Sequence, residues 1–86
     1  MKQHKQFKIG EYAIGGIIDV AINNNEIEIQ CLDYNTKERV CGMTFDSNGV
    51  DSDFAIIEEL NAYTSHYYAE QIFDWIKQFV TFKQAW

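Results

Sequence analysis

Two cysteines and two histidines are the residues of this sequence best suited to nucleophilic or metal chemistry. Cys31 or Cys41 paired with His66 would form a thiol dyad, because a nearby base activates a thiol. No residue is placed to orient such a dyad. A zinc site takes roughly four ligands, and His4 and His66 are far from the cysteines in sequence. We interpret both cysteines as small buried hydrophobic residues.

Acidic residues offer two further patterns, neither of which completes a site. Residues 46–53 have the Asp, Asn and Gly content of a calcium loop, but lack the closing glutamate and the preceding helix. Glu58 and Glu59 are adjacent, so a helix would point them in different directions. The sequence therefore predicts a protein that is not an enzyme, with no cofactor and no metal site.

The composition is that of one small acidic domain covering residues 1–86. Hydrophobic residues make up 47% of the chain, aromatic residues 15%, and the net charge is −6 at pH 7. We expect residues 1–6, which are polar and basic, to form a flexible tail. The N-terminus lacks the apolar region of a signal peptide, and no apolar run is long enough to span a membrane, which predicts a cytoplasmic protein.

Three runs of alternating apolar and polar residues predict β-strands at residues 17–22, 26–34 and 39–45. Two short polar turns, residues 23–25 and 35–38, join them into an antiparallel meander. Residues 7–14 predict a further strand. Gly15–Gly16 is then either a tight hairpin turn, which we favour slightly, or a bulge in one long strand.

Placing the apolar residues of the meander on one face fixes the register of the strands. The predicted rows are Ile22–Ile27–Phe45, Val20–Ile29–Met43 and Ile18–Cys31–Cys41.

The same register places a second apolar row on the opposite face, which we call the outer face. This row contains Ile17, Leu32 and Val40, with Tyr34 at its end and acidic residues beside it. An apolar row with an acidic border is typical of a docking surface. Residues 7–14 could instead cover it, or the row could be exposed without binding a partner, since single surface hydrophobic residues are common. The predicted partner-binding residues are Ile17, Asp19, Glu28, Leu32 and Tyr34.

Two helices are predicted to follow the sheet and to pack on its other face. The first covers residues 53–62, with Phe54, Ile57 and Leu60 facing inward and Ile56 as a further candidate. The second covers residues 65–83. Its apolar stripe comprises Tyr68, Ile72, Trp75, Ile76, Phe79 and Phe82. The fold class is therefore α+β: an antiparallel three- to four-stranded meander followed by two helices packed on one face.

The distribution of charge indicates the kind of partner. Between Asp46 and Asp74 the chain has acidic residues but no Lys or Arg. Direct binding to nucleic acid is disfavoured, because phosphate contacts need cations. A basic protein is the more plausible partner, and this acidic stretch is an alternative contact surface. The acidic residues could also serve only to keep the domain soluble.

The layout resembles that of small phage-encoded anti-CRISPR proteins, in particular a type I-F inhibitor. The similarity extends over residues 17–80 and includes the Asn-rich turn and the tripeptide Phe45-Asp46-Ser47. Members of this class bind Cas subunits and block target-DNA binding or nuclease recruitment. The resemblance implies a sheet face that contacts a Cas subunit.

Together these patterns predict an inhibitor that binds a basic, nucleic-acid-handling protein, such as a Cas subunit, and blocks its DNA or RNA binding sterically. The alternative is a non-enzymatic structural domain that self-associates through the outer face or through Trp86, so a homodimer is also compatible with the sequence.

Overall fold

The computed structural model describes residues 2–83 as an antiparallel sheet followed by two helices, which confirms the predicted α+β class. The strands are β1 (Lys2–Lys8), β2 (Gly16–Asn23), β3 (Glu26–Asp33) and β4 (Arg39–Asp46), and they lie side by side in chain order. The helices are α1 (Ser52–Tyr63) and α2 (His66–Lys77), and a 3₁₀ turn, Gly10–Tyr12, lies between β1 and β2.

Strand β1 replaces the flexible tail predicted for residues 1–6, and that prediction is wrong for residues 2–6. The strand pairs antiparallel with β2, with Phe7 opposite Ile18 and Lys5 opposite Val20. Its residues are polar because β1 lies at the edge of the sheet, where charged side chains reach solvent.

The connection between β1 and β2 is neither the hairpin turn nor the bulge considered at Gly15–Gly16. It is a loop containing the 3₁₀ turn, and the two glycines lead into β2 with φ of 76° and 107°. A Cβ on Gly15 would lie 2.7 Å from the Leu32 carbonyl oxygen, and one on Gly16 would lie 2.8 Å from Cβ of Tyr34. Glycine is required here because the loop crosses close to the end of β3.

The predicted register of the meander is confirmed in all three apolar rows. The outer row differs at β4, because the pairing shifts by one residue after Cys31, so that Leu32 lies opposite Arg39 rather than Val40. Val40, the second residue of β4, has no partner on β3, as expected of the extra residue in a β-bulge.

Both helices pack on the face that carries the three apolar rows, and the hydrophobic core lies between the two layers. On α1 the inward residues are Ile56, Leu60 and Tyr63, whereas Phe54 is 61% exposed. The prediction for Phe54 is wrong, because the spacing of Ile56, Leu60 and Tyr63 defines a different helical face.

Helix α2 ends at Lys77, earlier than predicted. The amides of Gln78 and Phe79 donate to the carbonyls of Trp75 and Ile76, which tightens the last turn. Phe79 lies beyond this end and is 40% exposed. Trp86, a candidate for self-association, lies outside the described residues.

Candidate protein-interaction surface

The outer face of the sheet holds the residues predicted to bind a partner, but it exposes only some of them. Ile17 is fully buried and Asp19 is 5% exposed. The expectation that these two side chains are open to a partner is therefore wrong. Glu28 is exposed, Leu32 is half-buried and Tyr34 is 46% exposed. Of the five predicted residues, a partner can therefore reach Glu28, Leu32 and Tyr34.

Asp19 is buried because β1 supplies partners for its carboxylate. Its Oδ2 lies 2.7 Å from Nε2 of His4 and accepts a hydrogen bond of 2.9 Å from Nε2 of Gln6. A buried carboxylate needs such partners, since burial without them is costly. An aspartate within the apolar run of β2 was the sequence signal that a polar strand lies beside it.

The Asp19–His4 pair resembles the orienting half of a catalytic triad, in which a carboxylate holds an imidazole in place. Within residues 2–83, no hydroxyl or thiol hydrogen bonds with His4, whose only hydrogen-bond partner is Asp19. The arrangement therefore holds β1 on the sheet and offers no nucleophile in reach.

The most extensive apolar exposure lies at one end of the molecule, which we call the tyrosine end. Five large apolar side chains there are 43–66% exposed, of nine such side chains in the described residues. They are contributed by the loop before β2, the β3–β4 turn, the start of β4 and the first turn of α2. The residues are Tyr12, Ile14, Tyr34, Val40 and Tyr67.

The sheet side of the tyrosine end is held by backbone contacts at Gly15. The Tyr34 amide donates to the Gly15 carbonyl at 2.8 Å. A Cβ on Gly15 would lie 3.2 Å from a methyl group of Val40 and 2.7 Å from the Leu32 carbonyl oxygen. Leu32, Tyr34 and Val40 therefore surround one loop and form a continuous surface.

The helix side of the tyrosine end is a group of three aromatic rings. The ring centroid of Tyr68 lies 5.7 Å from that of Tyr12 and 5.1 Å from that of Tyr67. The backbone between the helices fixes this group, because Ala13 pairs with Thr64, and the Thr64 hydroxyl donates to the Tyr12 carbonyl. The rings are thus held in place before any partner binds.

The β3–β4 turn positions Tyr34 through the carboxylate of Asp33. Its Oδ1 accepts hydrogen bonds from the amides of Thr36, at 2.8 Å, and Asn35, at 2.9 Å. These hydrogen bonds hold the pKa of Asp33 below its usual value of 3.8. The ammonium of Lys37 lies 5.1 Å from the centroid of the Tyr34 ring, which further restricts the ring.

The acidic stretch from Asp46 to Asp74, the alternative contact surface, lies mainly on the helical layer, on the opposite side of the molecule from the outer face. Glu70 pairs with His66 at 3.2 Å, and Asp74 pairs with Lys77 at 3.3 Å. These exposed pairs contribute little to stability. A groove of about 350 Å³ runs between the helices beside them.

The two cysteines lie directly opposite each other on β3 and β4, as predicted, and both are free thiols. Cys31 is fully buried, whereas Cys41 is only partly buried, so the expectation that both are buried holds for Cys31 alone. Burial, followed by the hydrogen bond with Cys41, raises the pKa of Cys31 to about 12. His66 contacts Asn61 and Glu70 rather than either thiol.

Within residues 2–83, no three His, Cys, Asp or Glu side chains cluster in a way that could hold a metal ion. None of the helices in this part of the chain is long and apolar enough to cross a membrane.

Comparison with known protein families, characterised proteins and solved structures finds no match to this chain. The resemblance to anti-CRISPR proteins therefore stays a prediction from the sequence.

Proposed function

We propose that this protein is a binding protein that inhibits a nucleic-acid-handling protein by covering part of its surface, and that the tyrosine end makes the contact. The observation that carries this proposal is the group of exposed apolar side chains, three of them tyrosines, around a rigid loop. Aromatic residues are enriched at protein interfaces, where they bury a large area at small entropic cost.

Exposed acidic residues near the tyrosine end favour a basic partner. Glu11 precedes Tyr12, Glu70 lies one turn after Tyr67, and Glu38 lies in the β3–β4 turn. Such residues would increase the rate of encounter with a positively charged surface and contribute specificity. Proteins that handle nucleic acids present surfaces of this kind, because they neutralise phosphates with Lys and Arg.

The resemblance to the type I-F inhibitor suggests a specific partner, the DNA-binding Cas complex. In this proposal the tyrosine end and the adjoining Glu28–Leu32 part of the outer face lie against a Cas subunit and exclude target DNA. Ile17 and Asp19 support this surface from beneath rather than touching the partner, since both are buried.

The test is a target-DNA binding assay with a purified type I-F Cas complex, with and without the full chain. We expect the protein to block DNA binding, and Tyr34→Ala to weaken the inhibition. An interface hot spot of about 2 kcal/mol corresponds to an affinity loss of roughly 30-fold. The matched control is Phe54→Ala, which removes another exposed aromatic ring, 61% exposed against 46% for Tyr34, from α1, away from the tyrosine end.

Two results would contradict the proposal in different ways. If the wild-type protein leaves DNA binding unchanged, the Cas partner is wrong. If it inhibits, but Phe54→Ala weakens the inhibition and Tyr34→Ala does not, the helical surface makes the contact. Thermal unfolding of both variants shows whether either change acts through stability instead.

A further inference from the structure

The two edge strands of the sheet, β1 and β4, differ in the side chain with which they border the hydrophobic core. One row of paired residues crosses all four strands on the core face: Lys5, Val20, Ile29 and Met43. Val20 and Ile29 are fully buried. At the β1 edge the row ends in a charged side chain that reaches solvent, whereas at the β4 edge it ends in Met43, which is 51% exposed. Within residues 2–83 the core therefore continues to the β4 edge, where Met43 is exposed.

In the part of the chain that the structure describes, no strand pairs with the outer edge of β4. The Ser47 amide donates to the Asn25 carbonyl at 2.8 Å. Because inward and outward groups alternate along an antiparallel strand, the amides and carbonyls of Gly42 and Thr44 point away from β3. Natural edge strands usually carry lysines that prevent pairing. Strand β1 carries Lys2, Lys5 and Lys8, but β4 carries no lysine.

We propose that two copies of this chain pair antiparallel through β4 and form one continuous sheet, with Met43 opposite Met43 of the second copy. In this register Phe45 lies opposite Cys41, so the apolar residues of both copies share the core face. Gly42 lies opposite Thr44, and their free backbone groups hydrogen bond. The interface is self-complementary, as a twofold dimer requires.

The charges of β4 favour a second copy over a strand from another protein. The strand begins with Arg39 and ends with Asp46. When two copies pair antiparallel, each Arg39 lies next to the residue that is opposite Asp46 of the other copy. Both residues lie on the outer side, since Arg39 pairs with Leu32 and reaches across Gly42. At each end of the interface, the positive charge of one Arg39 thus lies near the negative charge of one Asp46.

The test measures the mass of the full chain in solution by sedimentation equilibrium. We expect twice the monomer mass of 10.1 kDa. Met43→Lys places a charge at the centre of the β4–β4 interface. Thr44→Pro removes an amide that points away from β3 and that no hydrogen bond within residues 2–83 of one copy uses. We expect each to weaken the dimer by at least about 10-fold, the ratio that corresponds to roughly 1.4 kcal/mol.

Two matched controls distinguish a loss of β4–β4 pairing from the general effect of an added charge or an added proline. Val50→Lys adds the same charge at a 70% exposed loop position. Lys8→Pro removes an outward amide from the β1 edge, because the neighbouring Ile9 amide donates inward to Gly16. We expect both controls to remain dimeric. If Thr44→Pro fails to fold by circular dichroism, Met43→Lys alone decides.

A cross-link tests the register itself. Residues facing each other in a non-hydrogen-bonded pair have Cα atoms about 4.5 Å apart, within disulfide range. Met43→Cys in a Cys41→Ser background should therefore form a covalent dimer on mild oxidation. A chain that is monomeric at all concentrations would overturn the proposal. A strand of another protein would then be the remaining partner for the β4 edge. A dimer that survives Met43→Lys and gives no cross-link would also overturn it.

Discussion

The two faces of the sheet bury residues by different physical means. On the core face, Val20 and Ile29 are covered by α1 and α2, and the contacts are apolar. On the outer face no helix packs, yet Ile17 and Asp19 are equally buried, and Asp19 is held by hydrogen bonds from β1. Burial on the core face thus depends on a second layer, whereas the burial of Asp19 on the outer face depends on hydrogen bonds from a neighbouring strand. The comparison makes different predictions for substitutions on each side.

The largest expected effect is on the core face. Ile29→Ala removes a fully buried side chain between sheet and helices. We expect it to lower the free energy of unfolding by about 2–5 kcal/mol, because the cavity cannot be filled by water or by the rigid helices. Urea denaturation measures this loss, and Val50→Ala, at a 70% exposed position, should stay within about 0.5 kcal/mol of wild type. A similarly small loss for Ile29→Ala would show that the helical layer does not cover the sheet.

A smaller effect is expected on the outer face. Asp19→Ala removes the acceptor that His4 and Gln6 share, at 2.7 and 2.9 Å. We expect a loss of about 1–3 kcal/mol, less than for Ile29, because both donors can turn to solvent. The matched control is Glu28→Ala, an exposed carboxylate of the same face, which should have almost no effect on the urea midpoint. If Asp19→Ala leaves stability unchanged but abolishes partner binding, Asp19 is a contact residue after all.

The core face also contains groups that resist ionisation, which predicts a loss of stability in alkali. Burial raises the pKa of Cys31 to about 12 from its ordinary value of 9.0. Burial, together with a 2.6 Å hydrogen bond to Glu59, raises the pKa of Tyr63 as well. The unfolded chain therefore loses these protons first. The stabilisation is complete below about pH 9 and declines as pH rises towards 12.

Urea denaturation between pH 8 and pH 11 measures this decline. We expect the Cys31 thiol alone to account for about 1 kcal/mol by pH 10, since one pKa unit corresponds to about 1.4 kcal/mol. Tyr63→Phe should flatten the upper part of the curve, whereas Tyr67→Phe, on an exposed ring, should not. A stability independent of pH over this range would contradict the burial of Cys31.

The sequence predicted the core face far better than the outer face. Strict alternation in β2, β3 and β4 determined the three apolar rows, because a shift of one residue would move every apolar side chain to the other side. The first strand was predicted at residues 7–14 rather than at Lys2–Lys8, because Phe7 is the only apolar residue of residues 2–8. The hydrogen bonds that bury Asp19 come from His4 and Gln6 of β1, so its burial was missed as well.

The tyrosine end could be predicted only in part, for a related reason. Leu32 and Tyr34 were identified because they extend an alternating strand. Tyr12 and Tyr67 were not, since Tyr12 reaches the rings of α2, through Tyr68, only after the backbone of Ala13 pairs with Thr64. Such contacts between distant loops have no periodic signal in the sequence. Low amphipathicity had the same effect in α1, where Phe54 was predicted to face inward and Ile56 was only a further candidate.

The smallest expected effect on stability is at the β3–β4 turn. It reports on the hydrogen bonds that position Tyr34 in the tyrosine end. The amides of Thr36 and Asn35 hold the pKa of Asp33 below 3.8. The ionised carboxylate therefore stabilises the fold above the unfolded pKa, and this contribution is lost as pH falls through the folded value. We expect the stability difference between wild type and Asp33→Ala to shrink on acidification, whereas that between wild type and Glu38→Ala stays near zero. If Asp33 titrates by NMR at or above 3.8, the hydrogen bonds that position Tyr34 do not form in solution. The rigid surface on which the proposed docking depends would then be absent.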